Sequence, residues 1–213
     1  MINNLTKIKI CGIKDKNIFE KINEFEIDFL GLNFIENSKR FIQQDVASDI
    51  SKLLKSTNSK INLVGLFQDH EINHVNKISE LIALDFVQLC GNESLEYIDS
   101  INTNVIKVIH IKPSDDIREI ETKIDKYLSN CEYVILDTFS KKSSGGTGKI
   151  FNWKKYSDLF SKNVFVAGGL NPINISEVVR LHNPWGVDVS SGVETDGKKD
   201  IDKIKNFINN CNF

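Results

Sequence analysis

The sequence predicts an α/β protein, a single-domain (β/α)8 TIM barrel that takes up residues 1–213. Short apolar segments alternate with longer amphipathic segments eight times along the chain, which is the order of eight parallel strands each followed by a helix. Several apolar segments are nearly uninterrupted, as is typical of parallel strands covered on both faces. The length of 213 residues suits one such barrel, and no shift in composition marks a second domain.

The eight predicted strands are short and rich in β-branched and aromatic residues. They are residues 7–11, 29–34, 61–67, 86–90, 105–109, 133–137, 164–167 and 186–189. Apolar stripes at helical spacing predict helices over 42–55, 115–128 and 200–210. Asn171 followed by Pro172 is typical of a helix start, with Asn as the N-cap and Pro in the first turn.

Composition and charge exclude several classes of protein. The chain is 40% hydrophobic and 26% charged, with a net charge of −2, so no general attraction to nucleic acid or to an anionic membrane is expected. No stretch approaches the roughly 18 apolar residues of a membrane span. The first residues lead directly into a strand and lack the apolar centre of a signal peptide. We therefore expect a cytoplasmic protein with no nucleic-acid or membrane partner.

The four cysteines are Cys11, Cys90, Cys131 and Cys211. None forms a C-x-x-C pair, so the zinc-ribbon and thioredoxin signatures are absent. Disulfides are not expected in a reducing compartment, and the ordinary role of a free cysteine is that of a small buried hydrophobic residue.

Two chemically capable residues stand where strands end, at the rim that carries the active site of a (β/α)8 barrel. Cys11 ends the first strand and is followed by Gly12. Its thiol could be a nucleophile, a metal ligand or a base, although a free thiol titrates near ~8.5 and needs a cationic neighbour, and a buried structural role is equally open. Asp137 ends the sixth strand and could be an acid, a base or a metal ligand, or could bind local backbone amides.

The loops after strands seven and eight predict a phosphate site. They contain Gly168 and Gly169, and then Ser190, Ser191 and Gly192. Barrels often bind phosphate between these two loops through exposed backbone N–H groups and a helix N-terminus, although two ordinary turns would also use Gly and Ser. After the second predicted strand, Arg40 could bind a substrate carboxylate through two hydrogen bonds or could belong to a solvated basic turn.

The glycine-rich run at 145–149 follows Asp137 and is not a nucleotide-binding P-loop. Ile150 follows Lys149 where a hydroxyl residue is required, and Ser143 stands in place of the first Gly. A linker would need a domain on each side. We therefore interpret residues 143–149 as a lid that closes over the site beside Asp137.

Motifs over nearly the whole chain resemble the phosphoribosylanthranilate isomerase family of tryptophan biosynthesis. In order they are "KICGIKD", "SKRFI", "ILDTFSKKSSGGTGKIFNW", "AGGLNPINI" and "GVDVSSGVE" with "GKKD". The resemblance implies an Amadori rearrangement of a phosphorylated ribosyl anthranilate, with Cys11 as general base and Asp137 as general acid. It also implies Arg40 on the anthranilate carboxylate, Asp188 near the bridging nitrogen, and phosphate on the loops named above. It implies no metal and no organic cofactor.

Two positions depart from the family pattern. Cys90 stands at the end of the fourth strand where the family commonly has His, which leaves open a contact with Cys11 under oxidation. Asp69 stands where an amide is more usual. Only His110 is placed to contribute to a metal site. The alternatives left open are another sugar-phosphate barrel enzyme and a non-catalytic phosphate-binding barrel, and the sequence does not distinguish a monomer from a homodimer.

Overall fold

The computed structural model describes residues 6–57, 59–138, 152–160 and 163–212. Eight parallel strands close into a barrel, each hydrogen-bonded to the next and β8 to β1. The strands are β1 Lys7–Cys11, β2 Phe29–Asn33, β3 Asn62–Phe67, β4 Phe86–Leu89, β5 Asn104–Ile111, β6 Tyr133–Thr138, β7 Val164–Val166 and β8 Gly186–Val189. The predicted (β/α)8 barrel is confirmed, and every strand lies within two residues of its predicted ends.

Helices follow the strands and cover the outside of the barrel. They are α1 Lys16–Ile22, α2 Gln44–Ser56, α3 Ile72–Ile82, α4 Leu95–Asp99, α5 Ile117–Leu128, α6 Ile175–His182 and α7 Ile201–Cys211. Between β6 and β7 the described residues contain a 3-10 helix, Trp153–Leu159. A short antiparallel hairpin, β9 Glu194–Thr195 and β10 Lys198–Lys199, precedes α7. None of the helices within the described ranges has the length and apolar character needed to cross a membrane.

Helix α6 begins later than the sequence predicts. The prediction that Asn171 is the N-cap is wrong, because Asn174 has that position. The side-chain oxygen of Asn171 instead accepts the backbone N–H groups of Ile173 and Asn174 in the turn before the helix. The residues from Pro172 to Asn174 form a turn, and the helix itself starts at Ile175. The side chains of Asn171 and Asn174 both donate to the carbonyl of Gly169. The asparagines therefore support the β7 loop and do not simply start the helix.

The amino-terminal end of the barrel interior is filled by aromatic rings. The rings of Phe29, Phe86, Tyr133, Phe165 and Trp185 contact one another with centroid separations between 4.8 and 5.7 Å. Such pairs stabilise a core by roughly 0.5–1.5 kcal/mol each beyond the area they bury. Because this end is closed by hydrocarbon, the polar groups of the interior lie toward the carboxyl ends of the strands.

Candidate active site

Strand β1 carries two functional side chains into the barrel. Residues two apart on a strand point to the same face, so Lys9 and Cys11 both face the interior, where Lys9 is fully buried and Cys11 is 6% exposed. Lys9 is in register with Asp188 of β8, and its Nζ lies 3.0 Å from Asp188 Oδ1. Burial works to lower the pKa of Lys9, but the Asp188 carboxylate together with Cys11 and Cys90 outweighs burial and holds that pKa above its ordinary value. Lys9 is therefore a fixed positive charge in the barrel.

Asp137 lies near the end of β6, in register with His110 of β5. Its Oδ1 accepts the backbone N–H of Thr138 at 2.7 Å. Burial raises the pKa of Asp137 above its ordinary value, and the nearby His110 is the largest opposing influence. Because a raised pKa keeps a carboxyl group protonated to higher pH, Asp137 has the property that a general acid needs.

Cys11 and Asp137 interact with the same buried ion pair. Burial raises the pKa of the Cys11 thiol, Lys9 opposes this most strongly, and Asp188 adds to the increase. The pKa of Asp137 is raised further by Asp188 and lowered by Lys9. The thiol and the carboxyl group thus lie near the carboxyl ends of β1 and β6, and the Lys9–Asp188 pair acts on the pKa of both.

Arg40 is hydrogen-bonded to Glu194, which is not among the predicted site residues. Its Nε and Nη2 donate to the two carboxylate oxygens of Glu194 at 2.7 and 2.8 Å. Lys199 donates to the same carboxylate at 2.8 Å. The aliphatic part of the Arg40 side chain lies over Gly12, where a Cβ atom would meet Arg40 Cδ at 2.5 Å. Arg40 is therefore a fixed group and not part of a solvated turn.

The loops after β7 and β8 contact each other, as a shared phosphate site requires. Gly168 and Gly169 have φ of +82° and +76°, which is the left-handed region that glycine adopts without strain. A Cβ atom at Gly192 would overlap the carbonyl oxygen of Leu170. Ser190 links the β8 loop to the first strand, because its hydroxyl donates to the carbonyl of Cys11 at 3.1 Å.

The two departures from the family pattern are held in local contacts. The Cys90 thiol accepts the Gln88 side-chain amide at 3.5 Å, and burial raises its pKa to about 12, so this thiol stays neutral. Asp69 accepts the backbone N–H of Asn92 at 2.7 Å, so its carboxylate binds the loop that follows β4. Over the described ranges, no group of three or more His, Cys, Asp or Glu could hold a metal ion. The lid predicted at 143–149 lies outside the described residues.

Three charged residues of the site were missed by the sequence analysis: Lys9, Glu194 and Lys199. A signal for Lys9 was present, because "KIKIC" puts a lysine in phase with Cys11 on the inner face of β1. A buried lysine needs a counter-charge, and the interior carboxylate of Asp188 supplies it. Glu194 and Lys199 stand in the "GVETDGKK" segment, where nothing local indicates that they reach Arg40.

The barrel fold and the functional side chains near the ends of its strands together place the protein among the (β/α)8-barrel enzymes. The reactions of these enzymes take place at the carboxyl ends of the strands. The sequence comparison is more specific. The family model described as N-(5'phosphoribosyl)anthranilate (PRA) isomerase matches residues 8–210, and the chain belongs to that family.

Relatives agree over almost the full length of the chain. An N-(5'-phosphoribosyl)anthranilate isomerase of Dehalococcoides mccartyi is 42% identical over 209 residues, which is 96% of this chain and 94% of the relative. The crystal structure of phosphoribosyl anthranilate isomerase from Thermotoga maritima is 32% identical, with a TM-score of 0.83 and coverage of 97% of this chain and 98% of that one. Another solved structure, of phosphoribosyl anthranilate isomerase in complex with reduced 1-(o-carboxyphenylamino)-1-deoxyribulose 5-phosphate, has a TM-score of 0.79 at 32% identity and the same coverage.

Proposed function

We propose that this protein converts N-(5'-phosphoribosyl)anthranilate to 1-(2-carboxyphenylamino)-1-deoxyribulose 5-phosphate by an acid–base Amadori rearrangement in tryptophan biosynthesis. The observation that supports the proposal is that Cys11 and Asp137 lie near the carboxyl ends of β1 and β6, and that one buried ion pair, Lys9–Asp188, acts on the pKa of both. Membership of the isomerase family and the likeness to a solved isomerase that binds a reduced form of the product support it.

The reaction begins with a proton transfer from Asp137. The carboxyl group donates to the ring oxygen of the ribose, the bond between C1' and that oxygen breaks, and the nitrogen lone pair forms an iminium ion. The Cys11 thiolate then removes the proton on C2', and the C–H electron pair forms the C1'–C2' double bond while the iminium π electrons return to nitrogen. The enolamine so formed tautomerises to the ketose. These steps neither oxidise nor reduce the substrate, so acid–base groups suffice.

The remaining residues bind the two ends of the substrate. Arg40 binds the anthranilate carboxylate through the edge of its guanidinium that Glu194 leaves open. Asp188 lies near the bridging nitrogen, where its carboxylate stabilises the iminium charge. Backbone and hydroxyl groups of Gly168, Gly169, Ser190, Ser191 and Gly192 bind the phosphate.

The direct test is turnover by the purified protein. Loss of the fluorescence of the substrate's anthranilate group reports the reaction, and mass spectrometry of the product confirms an isomer of unchanged mass. The matched control is the Cys11→Ala/Asp137→Asn double variant, which lacks both proton-transfer groups. Wild-type protein that is folded and binds the substrate without converting it would overturn the proposal.

A further inference from the structure

Glu194 lies at a junction between the two substrate-binding ends of the proposed site. It opens the β9–β10 hairpin immediately after the 3-10 turn Ser191–Val193 of the phosphate loop. Its side chain is 8% exposed, and strand pairing sets it opposite Lys199. Its carboxylate contacts two cations, Arg40 from the β2 loop and Lys199 from its own hairpin.

Arg40 and Lys199 each form an ion pair with the Glu194 carboxylate. Burial works to raise the pKa of Glu194, but hydrogen bonds from Arg40 and Lys199 hold that pKa below its ordinary value. The carboxylate is therefore ionised throughout the neutral range. A buried carboxylate with two hydrogen-bonded cations stays in one geometry, because leaving either cation would uncover unpaired charge.

The hydrogen bonds to Glu194 use only one edge of the Arg40 guanidinium. A guanidinium has five N–H donors in a plane, and Glu194 accepts from Nε and Nη2. Within the described residues, the donors of Nη1 and the second donor of Nη2 have no protein acceptor. That edge has the geometry to bind a second carboxylate through two parallel hydrogen bonds. Glu194 on one edge and the packing over Gly12 fix the direction in which the open edge points.

The Glu194 carboxylate is also linked, through Lys199, to the proposed phosphate-binding loop after β8. Lys199, which donates to Glu194, also donates to the backbone carbonyl of Ser190 at 2.9 Å. Ser190 in turn donates through its hydroxyl to the carbonyl of Cys11. A chain of hydrogen bonds thus runs from Arg40 through Glu194 and Lys199 to the loop after β8 and to the end of β1.

We propose that Glu194 is a positioning residue that fixes Arg40 relative to the phosphate loop and so selects substrates with a carboxylate at one end and a phosphate at the other. This inference rests on the proposed function. A competing role for Glu194 predicts the opposite change in KM. In that role the Glu194 carboxylate takes the place of the substrate carboxylate on Arg40, and the substrate must displace it. Removing a positioning residue raises KM, whereas removing a competitor lowers it.

The experiment compares Glu194→Gln with Asp196→Asn, which makes the same carboxylate-to-amide change at the exposed turn of the same hairpin. We expect Glu194→Gln to raise KM for phosphoribosylanthranilate about tenfold or more with kcat within about threefold, because binding and not proton transfer is lost. Asp196→Asn should match the wild type. With the analogue that carries aniline in place of anthranilate, and so lacks the carboxylate, both variants and the wild type should have equal KM.

A double-mutant cycle with Arg40→Ala tests whether Glu194 acts through Arg40. Once Arg40 is absent, we expect Glu194→Gln to raise KM by less than about twofold. If Glu194→Gln does not fold, Glu194→Asp keeps the charge but is too short to reach both cations, and it should give a smaller rise in KM. An unchanged or lowered KM in the folded variant, or full additivity with Arg40→Ala, would overturn the inference. Inactivity of the wild type would instead overturn the proposed function.

Discussion

Lys9 and Asp188 face each other across neighbouring strands of the barrel, with Nζ 3.0 Å from Oδ1 and side-chain exposures of 0% and 10%. The pair lies 179 residues apart in sequence and joins the first strand to the last. Its ammonium group is the strongest influence that lowers the pKa of the Cys11 thiol. Because a general base must be a thiolate, this buried cation has a direct consequence for the chemistry of Cys11.

We predict that Lys9→Met slows the alkylation of Cys11 by iodoacetamide. Removing the ammonium raises the thiol pKa, and the rate at a fixed pH below that pKa falls about tenfold for each unit of increase. We expect a decrease of at least about threefold at pH 8, measured on the Cys11 peptide by mass spectrometry so that the other three cysteines do not contribute.

Lys7→Met is the control, because Lys7 lies on the same strand and pairs with Asp28 at the surface. It should leave the alkylation rate of Cys11 unchanged. A variant that merely loosened the barrel would expose the thiol and accelerate its alkylation, so a faster reaction in Lys9→Met would contradict the electrostatic role. Because the assay needs no substrate, it tests Lys9 independently of the isomerase reaction.

Cys11→Ala and Asp137→Asn should each lower kcat by at least ~10²-fold while the reduced product analogue still binds, because each removes one proton-transfer group. The double variant should be about as slow as the slower single variant, since the two groups act in one sequence of steps. Cys131→Ala, which removes a buried thiol at the amino-terminal end of β6, should retain full turnover. Wild-type kcat in either single variant would remove that residue from the mechanism.

The pH dependence of kcat/KM follows from the two raised pKa values. The reactive form needs a protonated Asp137 and a Cys11 thiolate, so kcat/KM should rise with pH up to the pKa of Asp137, above the usual ~3.9. Between the two pKa values, gain of thiolate and loss of the acid cancel and the profile is flat. It should fall again only above the pKa of Cys11, which lies above the usual ~8.5. A narrow optimum that declines between pH 7 and 8 would be inconsistent with these assignments.

Local patterns explain why the sequence predicted the barrel and the positions of Cys11 and Asp137. An apolar run marks each strand, and a barrel puts its active site where strands end, so both residues could be found from chain order alone. Chain order alone could not predict the contacts between Lys9 and Asp188 and between Arg40 and Glu194. These contacts depend on strand register and loop shape over separations of 179 and 154 residues. No local periodicity encodes such contacts.

Gly192→Ala should weaken binding of the phosphate end of the substrate. The added Cβ would overlap the carbonyl oxygen of Leu170 and force the β7 and β8 loops apart. We expect KM and the inhibition constant of ribose 5-phosphate to rise together, by about tenfold, which corresponds to ~1.4 kcal/mol. Gly197→Asn is the control, because no atom lies within 4 Å of a Cβ there and Asn tolerates a positive φ. Equal constants for Gly192→Ala and the wild type would show that the loop contact does not shape the phosphate site.

A second buried ion pair, between Lys107 and Glu93, should contribute to stability and not to chemistry. The two side chains are 2% and 1% exposed, and Lys107 Nζ lies 2.9 Å from Glu93 Oε2. Lys107 also donates to the backbone carbonyl of Gly91 at 2.7 Å. Lys107→Met leaves the Glu93 carboxylate buried without its cation, so the free energy of unfolding in urea should fall by about 3–5 kcal/mol.

The exposed pair Lys7–Asp28 is the matched comparison, with a similar distance of 2.7 Å but side-chain exposures of 47% and 29%. Lys7→Met should lower the free energy of unfolding by at most about 1 kcal/mol, because water already solvates both charges. Adding Glu93→Gln to Lys107→Met should restore part of the lost stability by removing the uncompensated carboxylate. Equal losses for Lys107→Met and Lys7→Met would mean that water reaches the Lys107–Glu93 pair, and that its contribution is no larger than that of a surface contact.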